Sequence, residues 1–340
     1  MKHFGAILTA QNTPLTLDHY TSDSLKLGQV LVSMKYAGIC GSQLGEVRGV
    51  KGQDPYLPHL MGHEGIGKVV EIGSGVSSVS VGDPVILHWK HGDGLNVSID
   101  NLIWNDRHLN SGCVTAFSDV VVVSENRVTK IATSTALPEE LLPILGCAIP
   151  TAWGALENIA RMKIGERVLI TGAGGVGIAS AVGARAMGCS HVFLMDKDIS
   201  KLSNLGFKDW IDLVDASDFD RFERSWDVAI DTTGDPRVIE KLYDLGGVGK
   251  RVVLLGVMSQ AERVTLHTLK LHFDFIFQGS HGGDGYISRD LARYVRALES
   301  HNECLDLLEY QVRPLSLINN AFSDLEAGRV NGRIIVDCRA

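Results

Sequence analysis

The sequence predicts an α/β protein in two parts: a β-rich barrel or sandwich unit and a doubly wound parallel-sheet unit. Three observations carry that prediction. The first 130 residues place short apolar/polar alternations between Gly-rich turns. From about Glu139, short all-apolar strands alternate with helical segments. One of those strands then runs into a Gly-x-Gly-x-x-Gly turn followed by a small-residue helix. At 340 residues the chain exceeds the size at which one core keeps growing, so two domains are expected.

Taken in order, residues 27–34 and 66–72 alternate as half-buried strands do, and a Gly-Asp-Pro turn at 82–84 precedes the apolar run 85–87. Residues 119–123 supply a further strand. Residues 141–160 have helical spacing, and strands follow at 167–170, 191–195, 227–230 and 251–255, with helices at 178–187 and 237–245 between them. Such alternation means parallel strands joined by crossover helices. Helical segments from about Asp290 lead to a closing strand at 332–337, and no repeat or low-complexity tract interrupts the chain.

The composition is that of an ordinary globular protein, with 45% hydrophobic and 21% charged residues. The 37 glycines cluster in turns. A net charge of −8 with interleaved signs gives no basic stripe for nucleic acid and no cationic amphipathic segment for a membrane surface. No apolar run reaches the roughly 18 residues that cross a bilayer. Met1-Lys2-His3-Phe4 leads into a strand without a signal-peptide core, so a cytoplasmic location is expected. The six cysteines, at 40, 113, 147, 189, 304 and 338, are scattered and read as thiols rather than a disulfide framework.

The glycine turn stands where its chemistry needs it. Gly172 permits the tight turn, Gly174 lets backbone approach a pyrophosphate, and Gly177 allows helix to pack on strand. Gly175 and Val176 open the helix, whose free N–H groups and dipole favour phosphate. A glycine turn can also be a plain connector, and Asp196 supplies the independent test. It ends the next strand, 19 positions after Gly177, where a carboxylate binds ribose hydroxyls and repels a 2′-phosphate. NAD is therefore expected over NADP, a preference that Lys197 would soften; the plain alternative is a solvated strand-end acid.

Three further segments offer metal ligands: Gly38-Ile39-Cys40-Gly41-Ser42, Gly62-His63-Glu64-Gly65 and Leu145-Gly146-Cys147. Two thiolates, an imidazole and a carboxylate suit Zn²⁺. Each residue alone has an ordinary reading as a buried thiol or a surface pair, so the case rests on their combination.

Gly62-His63-Glu64-Gly65-x-Gly67-x-Val69-Val70-Glu71-x-Gly73 with Val81-Gly82-Asp83-Pro84-Val85 resembles the zinc signature of the medium-chain alcohol dehydrogenase family. The segments around Cys40 and Cys147, the glycine turn, Gly279-Ser280-His281-Gly282-Gly283 and the closing strand are similar to that family's in the same order. The resemblance implies a GroES-like β-barrel catalytic domain (1–148 and 282–340) around a Rossmann NAD-binding domain (149–281). It implies that Cys40, His63 and Cys147 hold one catalytic zinc per subunit, with Glu64 exchanging with water as the fourth ligand. Ser42 would hydrogen-bond the substrate hydroxyl. Thr233 would line the cofactor pocket, Gly256 and Val257 would lie by the nicotinamide, and Arg333 would sit near the pyrophosphate.

The expected reaction is hydride transfer between NAD(H), held across the interdomain cleft, and an alcohol or carbonyl. The resemblance also implies a homodimer or homotetramer paired through the edge of the parallel sheet. Between His63 and Cys147 only Cys113 occurs, where many members hold a structural zinc with four cysteines. That zinc is therefore expected to be absent. The replacing stretch 88–112 reads as a solvated loop, with substrate or subunit contact as the alternative. Gln43 and Gly45 stand where many members have an acid and a histidine, leaving Glu46 and His59 as substitutes in a proton path. The polar 88–94 loop and His281 favour a polyol, sugar or phosphorylated hydroxy compound. The competing readings are a zinc-free quinone or enoyl-type reductase on the same fold and a non-catalytic nucleotide-binding protein.

Overall fold

The computed structural model describes residues 1–50, 52–198, 208–223 and 225–340. They form two compact units: Met1–Cys147 with Tyr286–Glu299 and Tyr310–Ala340, and Ala148–Gly285 with Ser300–Glu309.

The first unit is organised around the strand Gln29–Gly38. It pairs antiparallel with Gly65–Ile72, with Val120–Ser124 and with the chain's last strand, Arg333–Asp337. Among the described residues these belong to a seven-stranded sheet, and a five-stranded sheet built on Lys2–Leu8 and Thr16–Ser22 lies in the same unit. Both faces of the central strand are buried. Val30, Val32 and Met34 pack with Val69, Val85, Val121 and Val336, whereas Leu31 joins Ile7, Tyr20, Leu60 and Val122. The pairing with 65–72 shifts register at Leu31/Val32 and Met34/Tyr36. Gly65 and Gly67 lie by the second of these kinks, where a Cβ would come within 2.9 Å of the Tyr36 carbonyl and 2.5 Å of the Ser33 carbonyl. Bulges opposite glycines let the sheet curl into a half-barrel of the GroES-like kind.

The second unit holds six parallel strands in the order Ile211–Asp215, His191–Asp196, Arg167–Thr171, Val228–Asp231, Arg251–Leu254 and Ile276–Gly279 among the described residues. Numbered within the unit this is 3-2-1-4-5-6, the Rossmann order. Val168, Leu169, Ile170, Val228, Ala229 and Ile230 are fully buried, as central strands covered on both faces require. Helix Gly175–Ala186 follows the third-positioned strand, and helix Pro236–Leu245 starts on an Asp235 cap with proline in its first turn. The two outer strands, at 211–215 and 276–279, were not legible as strands. Both are edges with mixed burial, so neither carries a clear apolar period.

Two other local expectations change. The helical spacing at 141–160 becomes a 3₁₀ run Glu139–Gly146, helix Ala148–Gly154 and a π turn Ala155–Ile159. Pro143 lies inside the first piece, and Cys147 breaks it at φ −147°, ψ −66°. The 88–112 stretch is tied down more firmly than a solvated loop. His88 is buried, with Nδ1 2.8 Å from the Lys90 carbonyl and Nε2 2.9 Å from Thr129 Oγ1, and burial pushes its pKa down to about 4. Trp104 Nε1 donates to Asp18 Oδ2 at 2.8 Å. Among the described residues, no helix is long and apolar enough to cross a membrane.

Glu125 anchors this stretch from below: its carboxylate accepts the backbone N–H groups of Ser77, Ser78 and Leu95 at 2.7, 2.8 and 2.8 Å. Burial alone would raise its pKa, but these donors hold it below the usual glutamate range. Its stabilising contribution is therefore complete above the unfolded-chain value and fades as pH falls toward the folded one. Glu125→Gln, whose amide cannot accept from Leu95 while it accepts from Ser77 and Ser78, should cost about 1–3 kcal/mol at neutral pH. Urea unfolding at neutral and acid pH checks this, and the deficit should shrink on acidification.

Candidate metal centre and dinucleotide turn

The metal-ligand segments are positioned by backbone pairing. The Gly38 N–H donates to the Glu64 carbonyl at 3.1 Å and the Ile39 N–H to the Ile334 carbonyl at 3.0 Å, so three distant segments meet just past the central strand. Cys40 then caps the short helix Gly41–Val47, and Gln43 Oε1 reaches back to accept the Cys40 N–H at 2.8 Å. His63 and Glu64 immediately precede the strand Gly65–Ile72. Cys147 sits at the break that ends the 3₁₀ run.

The ligand atoms of Cys40, His63 and Cys147 all lie within 4.8 Å of one another. The two sulfurs are 4.0 Å apart, too far for a disulfide. Sulfurs 2.3 Å from a tetrahedral zinc would stand about 3.8 Å apart. His63 Nε2 is buried and has no hydrogen-bond partner among the described residues, as befits a nitrogen shaped for a cation. Ser42, exposed, donates its hydroxyl to Cys40 Sγ at 3.2 Å. The donor set therefore fits zinc.

The electrostatics point the same way. The contact between the two sulfurs holds the pKa of Cys40 well below the usual thiol value and pushes that of Cys147 well above it. Burial alone would lower His63, and the Cys40 sulfur raises it. Beneath them, fully buried Glu64 pairs through Oε1 with Arg333 Nη2 at 2.7 Å, and Arg333 Nη1 donates to the Ile39 carbonyl at 3.3 Å. Burial would weaken the guanidinium's hold on its proton, but Glu64 and the two sulfurs raise its pKa. Arg333, the expected pyrophosphate neighbour, pairs with Glu64 because the closing strand's register delivers it there. Glycine makes the room: a Cβ on Gly38 would come 2.5 Å from Glu64 Oε1, and one on Gly146 would come 2.1 Å from the Leu87 carbonyl.

In the second unit, Gly172 takes φ +92° and a Cβ on Gly177 would lie 1.8 Å from the Gly172 carbonyl, so turn and helix touch backbone to backbone. Around Gly174 the chain leaves open space, with nothing within 4 Å of a Cβ. Asp196 Oδ2 accepts the Ala173 N–H at 2.8 Å and its Oδ1 the Asp198 N–H at 2.9 Å; Lys197 is exposed. The next loops hang on buried Asp231, which accepts from Thr171 Oγ1, from Thr233 N and Oγ1 and from Gly234 N, and whose carbonyl takes the N–H groups of Leu255 and Gly256. Gly234, at φ +65°, lies against the Val257 backbone. Thr233 and Val257 are exposed beside this hub.

Residues 26–133 match the family model described as the alcohol dehydrogenase GroES-like domain. The chain is 27% identical to putative alcohol dehydrogenase D of Mycobacterium tuberculosis, with 99% of this chain and 100% of that protein covered. Residues 26–133 are thus similar to the alcohol dehydrogenase GroES-like domain, and the chain over its whole length is similar to alcohol dehydrogenases. Solved structures carry the same fold: benzyl alcohol dehydrogenase from Acinetobacter calcoaceticus superimposes with a TM-score of 0.87 at 20% identity, covering 99% of each chain. CAD from Helicobacter pylori, solved with NADP(H), gives 0.79 at 20% identity over 100% of this chain and 99% of that one.

Sequence reasoning missed several supports of the candidate site. Asp231 was not singled out, and Gly38 and Gly146 figured only as motif letters. Their roles depend on contacts with segments far along the chain, which no local pattern carries. Replacing Arg333 by Met removes the cation opposite a buried carboxylate and should cost about 3–5 kcal/mol. Denaturant unfolding of the two proteins under one metal condition measures that loss.

Proposed function

We propose that the protein is a zinc-dependent, NAD-linked dehydrogenase acting on alcohols and the corresponding aldehydes or ketones. The observation that carries this reading is the buried Cys40–His63–Cys147 donor set with His63 Nε2 unsatisfied among the described residues. Those three residues would hold one catalytic zinc, with Glu64 behind them. Zinc would supply Lewis-acid polarisation of the substrate oxygen, and the nicotinamide would accept or return hydride. Ser42 would hold the hydroxyl proton and, being exposed, pass it to water. Gln43 cannot relay it: it is an amide, it is buried, and its oxygen already accepts the Cys40 N–H.

Gly172, Gly174 and Gly177, with the N–H groups from Gly175 and Val176 onward, would seat the pyrophosphate. Asp196 favours NAD, since its carboxylate sits on the turn and would repel a 2′-phosphate. The backbone at Gly256 and Val257, with Thr233, would meet the nicotinamide half. The structural zinc of many relatives is proposed to be absent, because Cys113 is the one cysteine between His63 and Cys147. For a polyol, sugar or phosphorylated substrate the support has narrowed: His88 is buried and both its ring nitrogens are engaged, so the preference would rest on other polar groups. Subunit pairing through the edge strand Ile276–Gly279 is supported by exposed Leu269, Leu271, Phe273 and Ile276 beside it.

Cys147→Ala should lose the thiolate-bound zinc equivalent and alcohol oxidation while still binding NAD, which metal analysis, absorbance at the nicotinamide band and NAD titration read separately. Zinc retained in the variant, or metal-replete parent protein inert toward plain, aromatic and polyhydroxy alcohols and their carbonyls, would refute the assignment. Asp196→Ala should move the NADP/NAD ratio of kcat/KM upward at least about tenfold, equivalent to about 1.4 kcal/mol. An unchanged ratio would remove Asp196 from cofactor selection.

A further inference from the structure

Away from the thiol centre, three side chains of the first unit converge: Glu46 at the end of the helix Gly41–Val47, Asp54 in the following loop, and His59 on the strand His59–Leu60. Their ligand atoms lie within 4.8 Å of one another, with His59 Nε2 2.9 Å from Asp54 Oδ2 and 3.8 Å from Glu46 Oε1. His59 is 7% exposed. Its Nδ1 lies 2.8 Å from the Leu60 carbonyl, which can only accept, so Nδ1 carries a proton. In a neutral ring Nε2 then presents a lone pair to two carboxylates. That arrangement is repulsive unless a cation lies among them. Orientation of the ring by a backbone carbonyl is also the support that metal-bound histidines use. Asp54 is fixed in the same way: its Oδ1 accepts the Tyr56 N–H at 2.8 Å, which leaves Oδ2 turned to His59.

We propose that Glu46, Asp54 and His59 form a second, non-thiolate site for a divalent cation of the zinc class. Nitrogen and oxygen ligands about 2.1 Å from a tetrahedral centre stand about 3.4 Å apart, between the two separations found here. Half-exposed Glu46 leaves a side open to water, so the ion is held more weakly than by the thiols. Bound there, it clamps the helix that begins at Cys40 to the strand that leads to His63, and its role is structural. The competing occupant is a proton on His59, which would make the cluster an ion pair. This site does not depend on the reading of the thiol centre.

The test uses the full-length protein, stripped with chelator and reloaded with Co²⁺. The expected result is two bound equivalents. One gives the near-ultraviolet sulfur-to-cobalt band and disappears in Cys147→Ala. The other gives only weak visible absorption, disappears in Asp54→Asn, and binds about tenfold or more weaker in Glu46→Gln. Asp54→Asn keeps its shape and can still accept from Tyr56, which guards against simple misfolding. Zinc should also raise the Tm of Cys147→Ala and leave that of the Cys147→Ala/Asp54→Asn double variant unchanged. No second equivalent with cobalt in large excess, or a second equivalent unaffected by Asp54→Asn, would overturn the proposal.

Discussion

The buried cation Arg333 balances the charge on which the candidate metal centre depends. Within that pocket Cys40 and Cys147 as thiolates and Glu64 as carboxylate contribute three negative charges, and Arg333 contributes one positive charge, so the sum is −2 with His63 neutral. Such a sum is untenable in a dry interior, and a divalent ion cancels it. Without one, the thiols keep a shared proton, as the downward shift of Cys40 and the upward shift of Cys147 express. A doubly charged guest would thus suit the pocket, with Arg333 offsetting the third negative charge.

Arg333 arrives by topology rather than by local sequence. Its contact with Glu64 spans 269 residues and exists because the last strand adds to the central strand with Ile335 opposite Gly38. The central strand is therefore shared by four jobs: it carries the core on both faces, receives the closing strand, pairs with the segment after His63–Glu64, and delivers Cys40 at its end. A register slip of one residue there would invert the strand's side chains and separate the ligands together. Local contacts cannot assemble this site early; the long-range pairing must come first.

That dependence explains what could be read from the sequence. The Rossmann strands at 167–171, 191–196, 228–231 and 251–254 were legible because central parallel strands are apolar on both faces, and the glycine turn because its spacing is set by backbone geometry. The outer strands at 211–215 and 276–279 were not, since an edge has one wet side and no fixed period. The metal-ligand residue types were legible from their motif context. The partner of Arg333, the room provided by Gly38 and Gly146, and the place of Asp54 beside His59 were not, because each is a relation between segments that the chain brings together only on folding.

The two binding devices also differ in what holds them ready. The metal centre is made of side chains locked by one another, so it is sensitive to any lost charge or added volume. The dinucleotide turn is made of backbone, and the side chain that steadies it is Asp196, whose oxygens already accept from Ala173 and Asp198. A carboxylate oxygen has two lone pairs, so ribose hydroxyls can be added without breaking either bond. Recognition of the ribose would then tighten the same turn that faces the pyrophosphate. Replacing Asp196 would therefore disturb the turn as well as any ribose contact, so a loss of NAD affinity would not by itself measure that contact; the ratio between the two cofactors would isolate it, since the turn is common to both.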